Sequence, residues 1–577
     1  MRRIALCTAF VLVLAASLIA DSNLRVADVG LHGYSGTTSA VRLIVRNPSL
    51  QAQTIHLLVT AGDQNDVTNT VTTDVRLGGS EQRELELPIL MPGGKTTVTA
   101  DAITAGAVFG HDTYERSLRR TNLIVLMCAS ESVCKTAQSQ IQFSGTIEER
   151  ADKNRQTAFE MVDDPRDHWW AYSVGSAIVL AMPTADFTPT QRDALEGFLR
   201  SGGRLVLLEH EIADPSFLSA YRNGPAPPHG ERVGKGALFR ISGLGANELG
   251  DAFAGQNLPG LLGENFAWRK LNETGWLSRR FATPFDFPRL RWVLIWLAVY
   301  TVTIGVLNFA VLRRLHRLEF GWISVCGLAL VFAAGFYFSS ASQRPKSFRL
   351  DNLATYYLDA RSPVAMADYN LRVSAPERQD VLVSVADPAV FTSSNFAEEE
   401  PNGQIWAEMN RQRTEVRRTY DIRLGPPSQI ELSMLKWSFR DLSLQGLHEF
   451  PGTIHFVALN RLRNDTGQHF NETVYVDYNS NAIYALATLA PGEEIQLDTI
   501  TPTPIYGKDG NLQAGIPPGL DYGKHTLQQL VQTGALPFAV EGRVFVGLSD
   551  GPGLTAELNV PHQRSVHSLI VVGLEQP

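Results

Sequence analysis

Residues 177–208 read AIVLAMPTADFTPTQRDALEGFLRSGGRLVLL, and this stretch decides the fold of the region around it. Its two ends, 177–182 and 204–208, are apolar runs of strand length. Such runs are typical of parallel strands whose two faces are both buried under helices. The residues between the runs carry helical signals, so the pattern predicts a strand, a helix and a second strand.

The helix between these strands has a clear beginning and a clear end. Thr188 is a good N-cap, Pro189 suits the first helical position, and Gln191 completes a capping box. Apolar residues then recur at helical spacing until the pair Gly202-Gly203, whose first glycine suits the left-handed position after a helix. A strand, a capped helix, a glycine pair and a strand together make a βαβ unit.

A third apolar run, 123–127, precedes this unit, and the three runs predict an α/β domain of doubly wound type over residues 121–285. Several segments resemble class I glutamine amidotransferase-like domains, and the hairpins that accompany them, in uncharacterised bacterial envelope membrane proteins. These segments are 188–209, the Gly-Lys-Gly stretch 233–241, and the hairpin residues 305–314 with 320–322. The resemblance covers about residues 120–577, although Val306 stands where those proteins usually have proline.

The resemblance implies a fold that is kept without its chemistry. An active amidotransferase carries a cysteine on a strained strand-to-helix elbow, with a histidine and a glutamate nearby. The strand that should end in this elbow, 204–208, runs into Glu209-His210-Glu211, with no cysteine and no flanking glycine. We therefore expect no catalytic residue, no bound metal and no cofactor.

The cysteines of this domain, Cys128 and Cys134, leave three alternatives open. They form a disulfide that closes a short loop in an oxidising compartment, they remain unpaired thiols, or Cys128 acts as a nucleophile. A nucleophile needs a histidine base, for which His168 and His210 are the candidates. The disulfide is the favoured alternative.

Other polar residues of the domain are interpreted as structural. The side chains of 209–211 and Asp214 are potential metal ligands, but neighbours at one strand end point in opposite directions. The acidic loop 163–168 lacks the spacing of a calcium site, and Trp169-Trp170 behind it is expected to anchor the core or a domain interface. The stretch 234–236 lacks the full phosphate-loop pattern and is predicted to be a hairpin turn.

Two charge-free runs, 292–312 and 320–338, predict a transmembrane hairpin over residues 290–342. The first run, at 1.5 Å per residue, spans about 31 Å, enough for a hydrocarbon core of roughly 30 Å. The positive-inside rule places the short loop between the runs in the cytoplasm. The loop carries three arginines: Arg313, Arg314 and Arg317.

Asn308 is the notable polar side chain within the first of these runs. One interpretation makes it an element of a proton or ion relay. The favoured interpretation is a hydrogen bond between the two helices, because a single amide does not make a transport path.

The N-terminus reads as an export signal over residues 1–20, with two arginines followed by an apolar run. An uncleaved anchor is the alternative, since the run is just long enough to span a bilayer. Whether the signal is cleaved or stays as an anchor, we expect the chain that follows it to be exported. The sequence therefore predicts a protein of the bacterial inner membrane, with residues 21–290 and 343–577 on the periplasmic side.

The regions on either side of these segments look β-rich. Residues 24–117 show strands of five to seven residues separated by Gly, Pro and Asn clusters, which predicts a small N-terminal β-sandwich. Residues 346–577 predict a C-terminal β-sandwich region, either one large sandwich or two small ones. A helix at about 525–533 and a mobile polar insertion at 393–415 are expected within it.

The composition excludes several classes of protein. A formal net charge of −8 argues against a nucleic-acid scaffold, and four cysteines in 577 residues exclude a disulfide-rich one. We expect a non-catalytic, membrane-anchored envelope protein whose exported domains bind a partner protein or a surface ligand. Its predicted partners are the lipid bilayer and other envelope or membrane proteins. The alternatives are an envelope hydrolase or amidotransferase that uses Cys128, and an accessory subunit of a transporter.

Overall fold

The structure is a computed structural model that describes most of the chain in separate stretches. The predicted signal at 1–20, the predicted helix at 525–533 and residues 394–415 of the predicted insertion lie outside the described residues. The described residues are 23–30, 38–63, 68–91, 95–117, 122–143, 157–173, 175, 177–212, 217–218, 221, 230–244, 249, 290–342, 346–393, 420–436, 438–477, 479–486, 488–504 and 543–574.

The N-terminal region is built from β-strands in two facing sheets. One sheet has the order β1-β2-β5, and β4-β3-β6-β7 belong to a second sheet. Along β3, Ile55, Leu57 and Val59 are buried while the residues between them are not, as expected for a strand with one face in a core. The strands are β1 Leu24–Val29, β2 Thr38–Arg46, β3 Gln53–Asp63, β4 Thr68–Leu77, β5 Gln82–Leu90, β6 Lys95–Thr104 and β7 Ala107–Ser117.

The next region is a mainly parallel sheet covered by a helix on each face. The sheet order is β12-β13-β11-β10-β8-β9, and only β12 is antiparallel to its neighbour. Ile141 of α1 packs on one face and Leu195 of α2 on the other. The elements are β8 Asn122–Cys128, α1 Glu131–Phe143, β9 Thr157–Met161, a 3₁₀ turn Trp169–Tyr172, β10 Ala177–Ala181, α2 Pro189–Arg200, β11 Arg204–Leu208, α3 Glu209–Ile212, β12 Glu231–Val233 and β13 Gly236–Ile241.

The βαβ unit forms as its sequence predicts. The Thr188 hydroxyl accepts a hydrogen bond from the backbone N–H of Gln191. The side-chain oxygen of Gln191 accepts one from the backbone N–H of Thr188, which completes the capping box. Gly202 follows the helix with a φ of +113°, a value that favours glycine. The predicted end of the domain, at 285, lies outside the described residues.

The C-terminal region contains two sandwich-like units. A middle unit uses β14–β20 and β28, and a C-terminal unit uses β21–β27 and β29. The strands are β14 Phe348–Asp359, β15 Ser362–Ala375, β16 Gln379–Val385, β17 Ala389–Ser393, β18 Tyr420–Arg423, β19 Ser428–Met434, β20 Ser438–Glu449, β21 Ile454–Ala458, β22 Arg461–Asn464, β23 Glu472–Asp477, β24 Ala482–Leu486, β25 Glu494–Gln496, β26 Thr503–Pro504, β27 Arg543–Ser549, β28 Ala556–Leu558 and β29 His562–Leu574.

The N-terminal and middle units share a sheet, a relationship that the separate predicted regions 24–117 and 346–577 did not anticipate. β18 pairs in parallel with β4, so that Ile422 lies opposite Val71. This pairing joins the N-terminal and middle units in one eight-stranded sheet, and β14 pairs with β29 to join the middle and C-terminal units. Strand periodicity shows which face of a strand is buried but not which strand lies beside it.

The N-terminal and C-terminal units are two copies of one topology. In the first, β1-β2-β5 faces β4-β3-β6-β7, and in the second, β21-β22-β25 faces β24-β23-β27-β29. Each neighbouring pair within these two sets is antiparallel. The strands follow the same chain order in both copies, so the fold contains an internal structural repeat.

A buried asparagine marks the same place in both copies. Asn47 donates its side-chain amide to the carbonyls of Gln51 and Gly78, at 2.8 and 2.7 Å. Asn464 donates in the same way to the carbonyls of Gln468 and Ala490, at 2.8 and 3.0 Å. Both asparagines are fully buried and follow an arginine at the end of β2 or β22. Each therefore ties together two loops of its unit.

We expect Asn47→Ala and Asn464→Ala to destabilise their units by similar amounts, on the order of 2–4 kcal/mol each, because both leave buried carbonyls without donors. Urea unfolding followed by pulse proteolysis measures the loss. Asn471→Ala is the matched control, since Asn471 is exposed and donates to Asp550. A loss for Asn464→Ala no larger than for the control would contradict the equivalence of the two loops.

Two apolar helical segments lie between the α/β region and the middle unit. Residues 294–314 and 318–338 are long and apolar enough to cross a membrane, and none of their residues is buried in the protein. Trp296 and Tyr300 of the first contact Phe332 of the second, with ring centroids 5.6 and 5.3 Å apart. The helices are α4 Leu290–Val302, a π-helical turn Thr303–Leu307, α5 Asn308–Arg314, a 3₁₀ turn Leu318–Phe320 and α6 Gly321–Ser342.

Asn308 lies directly after the π-helical turn and is half-buried. Within the described residues its side chain makes no hydrogen bond to the second helix, so the predicted interhelical bond is not formed there. The aromatic contacts hold the two helices together instead. Arg313, Arg314 and Arg317 are exposed around the connection, as expected for a loop at a membrane surface.

Candidate functional site

One candidate site lies at the carboxyl ends of the parallel strands. The parallel strands lie side by side in the order β9-β8-β10-β11-β13. Numbered along the chain this order is 2-1-3-4-5, so the strand order reverses between β8 and β10. Ligands of open α/β sheets bind in the crevice at this point. Here β8 ends at Cys128, which forms a disulfide with Cys134 of α1. Both residues are more than nine-tenths buried.

The disulfide removes the thiolate that a nucleophile would need. The two histidines considered as its base have other surroundings. His168 stacks on Trp170, with ring centroids 4.9 Å apart, and His210 is an exposed residue of the short helix α3. Glu209 and Glu211 belong to the same helix, and no group of three metal-ligating side chains occurs within the residues that the structure describes.

Replacing Cys134 with serine and Cys128 with alanine is expected to lower the free energy of unfolding by about 2 kcal/mol, because the short loop no longer restrains the unfolded chain. The double variant avoids leaving one reactive thiol. Thermal unfolding with and without reductant measures the effect, and reductant should change the wild type only. Equal sensitivity of both proteins to reductant would contradict the assignment.

The Gly-Lys-Gly stretch is a hairpin turn, as predicted, and it also brings a buried charge to a domain interface. Lys235 lies at the turn between β12 and β13, and its ammonium group is 2.5 Å from a carboxylate oxygen of Asp368 in β15. The Lys235 side chain is fully buried and lies 4.3 Å from the ring centre of Tyr357. Gly234 has a φ of +59°, and a side chain at Gly236 would collide with the Leu199 carbonyl at 2.0 Å.

A second buried cation joins the same two units. Arg200, at the end of α2, donates to Asp359 of β14 at 3.2 Å and to the Val364 carbonyl at 3.0 Å. The Tyr221 hydroxyl accepts a further bond from the guanidinium at 2.8 Å. The α/β unit is therefore fixed to the middle unit by two buried cations, Lys235 and Arg200.

The acidic loop contacts the N-terminal unit. Arg166 of this loop lies 2.6 Å from Asp28 and 3.0 Å from Glu86. Burial raises the pKa of Glu86, and the nearby Arg166 guanidinium opposes this rise. Trp170 packs against Ala40 of β2, which agrees with its predicted place at a domain interface. Two charged residues of the loop, Arg166 and Asp164, therefore form ion pairs with the N-terminal unit.

A cleft in the C-terminal unit is the other candidate site. It has a volume of about 220 Å³ and lies between the β21–β22 hairpin and the strands β23, β24 and β27. Phe456, Tyr475 and Tyr484 supply its aromatic surface. The Tyr475 ring is 5.9 Å from the Phe456 ring in an edge-to-face contact and 5.3 Å from the Tyr484 ring.

Polar groups converge on the same cleft. Asp477 accepts a hydrogen bond from Arg543 at 3.3 Å, and the Arg543 guanidinium lies 5.6 Å from the ring centre of Phe456. On the opposite side, the Asn460 side chain donates to Asp498 at 2.5 Å. The alternation of β23 was visible in the sequence, but its aromatic and charged partners come from other strands, and Arg543 lies 66 residues from Asp477 along the chain.

Comparisons with known proteins find no family model and no curated protein that matches the chain. Solved structures give weak local similarities. A cycloisomaltooligosaccharide glucanotransferase of Paenibacillus sp. is 15% identical over 32% of this chain and 27% of its own, with a TM-score of 0.17. Beta-glucuronidase 2 of Bacteroides uniformis is 11% identical over 32% and 27%, with a TM-score of 0.16. A ThuA-like protein of Bacteroides uniformis is 18% identical over 15% and 36%, with a TM-score of 0.12. The chain thus spans about a third or less of these proteins, and such TM-scores do not establish a common fold or function.

Proposed function

We propose that the chain is a non-catalytic, membrane-anchored protein of the bacterial envelope, whose exported domains bind a partner protein or a surface ligand. The observation that carries this proposal is the pairing of β4 with β18. These strands lie before and after the apolar helices in the chain, so both must be on one side of the membrane. That arrangement requires an even number of spans between them, which a helical hairpin supplies.

The disulfide supports the periplasmic side. Bonded cysteines persist in oxidising compartments and are rare in the cytosol of most bacteria. If the pair Cys128–Cys134 is extracytoplasmic, then residues 21–290 and 343–577 are extracytoplasmic too, and the three arginines between the helices lie in the cytoplasm. The helices then anchor the folded units to the inner membrane.

Labelling with a membrane-impermeant maleimide in spheroplasts tests this placement. In a background without Cys7 and Cys326, Ser480→Cys should be labelled directly, because Ser480 is exposed in the C-terminal unit. His316→Cys, at the exposed connection between the helices, should be labelled only after permeabilisation. Labelling of both residues, or of neither, in intact spheroplasts would contradict the proposal.

A second experiment tests the absence of catalysis. The triple variant Cys128→Ala, Cys134→Ala, His210→Ala should rescue the phenotype of a deletion strain when its protein level is normal. Crosslinking in intact cells, followed by purification in mild detergent, should capture the partner with both proteins. Loss of rescue at a normal protein level would favour the alternative of an envelope hydrolase that uses Cys128.

A further inference from the structure

The internal repeat shows a feature that one copy has and the other lacks. The C-terminal unit places Phe456, Tyr475 and Tyr484 on β21, β23 and β24. The corresponding strands of the N-terminal unit, β1, β3 and β4, contain no Phe, Tyr or Trp. The same topology therefore forms without an aromatic cluster, and in the C-terminal unit Tyr475 is a core residue against which Phe456 and Tyr484 pack with partly exposed rings.

The polar groups of this cleft include hydrogen-bond donors that have no partner among the described residues. Asp477 accepts from the backbone amides of Asn479 and Ser480 as well as from Arg543, so it is well satisfied and holds the guanidinium in place. In the described part of the chain, the terminal nitrogens of Arg543 have no hydrogen-bond partner. Arg543 lines the cleft, and its guanidinium nitrogens can donate to a ligand that enters it.

Acceptors are available on the other side. Asp498 receives one bond from Asn460 and is otherwise exposed. The backbone carbonyl of Asn460 accepts from the Leu497 amide, whereas its side-chain amide oxygen has no partner among the described residues. The hydroxyl of Tyr484 can donate or accept. Burial raises the pKa of Tyr475, so its hydroxyl keeps its proton. The cleft thus offers donors and acceptors above an aromatic surface.

The charged side chains of the cleft indicate the chemical class of its ligand. Asp477 and Arg543 neutralise each other, Asp498 would repel an anion, and a cationic group brings no acceptor for the terminal nitrogens of Arg543. A neutral molecule with several hydroxyl groups satisfies both sides, because a hydroxyl both donates and accepts. Its carbon-bound hydrogens can lie on the aromatic rings. The volume of about 220 Å³ is smaller than the range of roughly 300–1,000 Å³ of drug-sized pockets, so it suits one ring of a longer chain.

We propose that the cleft between Phe456, Tyr484 and Arg543 binds the terminal ring of a neutral saccharide. This inference rests on the proposed function and names the class of its surface ligand. The saccharide ring lies on the Tyr484 and Phe456 side chains, its hydroxyls accept from Arg543 and donate to Asp498, and no bond is made or broken.

The experiment uses the full-length protein in a zwitterionic detergent, because maltoside detergents would themselves present sugar rings. Saturation-transfer NMR with maltotriose, cellotriose and chitotriose as probes should show binding of at least one, with the strongest transfer to a terminal ring. Tri-lysine and tri-glutamate are the charged probes. No binding of any sugar, or binding of a charged probe alone, would overturn the assignment.

Two variants of cleft residues test whether the sugar binds in the cleft. Tyr484→Ala and Asn460→Ala should each weaken the binding of that sugar by roughly tenfold, the effect of losing one ring contact or one good hydrogen bond. Phe439→Ala is the matched control, because Phe439 also packs under an arginine, Arg372, but lies outside the cleft. Unchanged affinity in both cleft variants would exclude this site.

The outcomes also separate this inference from the proposed function. New reducing ends released from a bound probe would contradict the non-catalytic proposal and leave the cleft assignment intact. Absence of sugar binding, together with the expected maleimide labelling and rescue, would remove the cleft assignment alone.

Discussion

Lys235→Met is expected to lower the free energy of unfolding by about 3–5 kcal/mol, the cost of removing one partner from a buried ion pair. The loss arises because Asp368 stays buried with its charge and keeps the Gln445 side chain, at 2.8 Å, as a neutral hydrogen-bond donor. Burial lowers the pKa of Lys235 and Asp368 opposes that change, so the charged pair persists only because both groups are present. Pulse proteolysis across a urea series measures the loss.

The companion variant separates charge from packing. Lys235→Met combined with Asp368→Asn removes both charges and keeps an acceptor for Gln445. It should recover on the order of 1–3 kcal/mol relative to Lys235→Met alone, as expected for residues in direct contact. Lys135→Met is the control, because Lys135 forms an exposed pair with Glu131 and should hardly change stability. A double variant as unstable as the single one would mean that the ammonium contributes through packing on Tyr357.

The sequence predicted local structure well where the signal was local. The capping box at Thr188 and the strands on either side of α2 follow from residues within one stretch of chain. The two apolar helices follow from runs without charge. In each case the residues that fix the element lie close together in the sequence, so pattern and structure coincide.

The interfaces could not be predicted because their partners are far apart in the chain. Lys235 and Asp368 are 133 positions apart, with both apolar helices between them. A lysine between two glycines predicts an exposed turn. The Lys235 side chain is buried because the middle unit packs against this turn. The same holds for the cleft, where Tyr475 and Arg543 meet across the sheet. The repeat was missed because the two copies share pairing order and a buried asparagine but little sequence.

Shortening one side chain in β18 tests whether the N-terminal and middle units fold together. Ile422→Ala removes a buried side chain from the core shared by both units and should cost about 2–5 kcal/mol. Leu435→Ala, just after β19, is the control, because that leucine is 45% exposed and its truncation should change little. Urea unfolding compares the two.

The measurement that tests this is hydrogen exchange in β4, about 350 residues from Ile422 in the sequence. β18 covers the edge of β4 from Asn69 to Thr72, so weakening it should expose those amides to hydrogen exchange. We expect exchange in β4 to rise more than tenfold in Ile422→Ala and to stay unchanged in Leu435→Ala, because Leu435 lies outside the residues that pair with β4. If exchange rose only around Ile422 itself, the N-terminal and middle units would be independent. The argument that both flanks of the apolar helices occupy one side of a membrane would then lose its basis, because that argument requires β4 and β18 to remain paired in the folded protein.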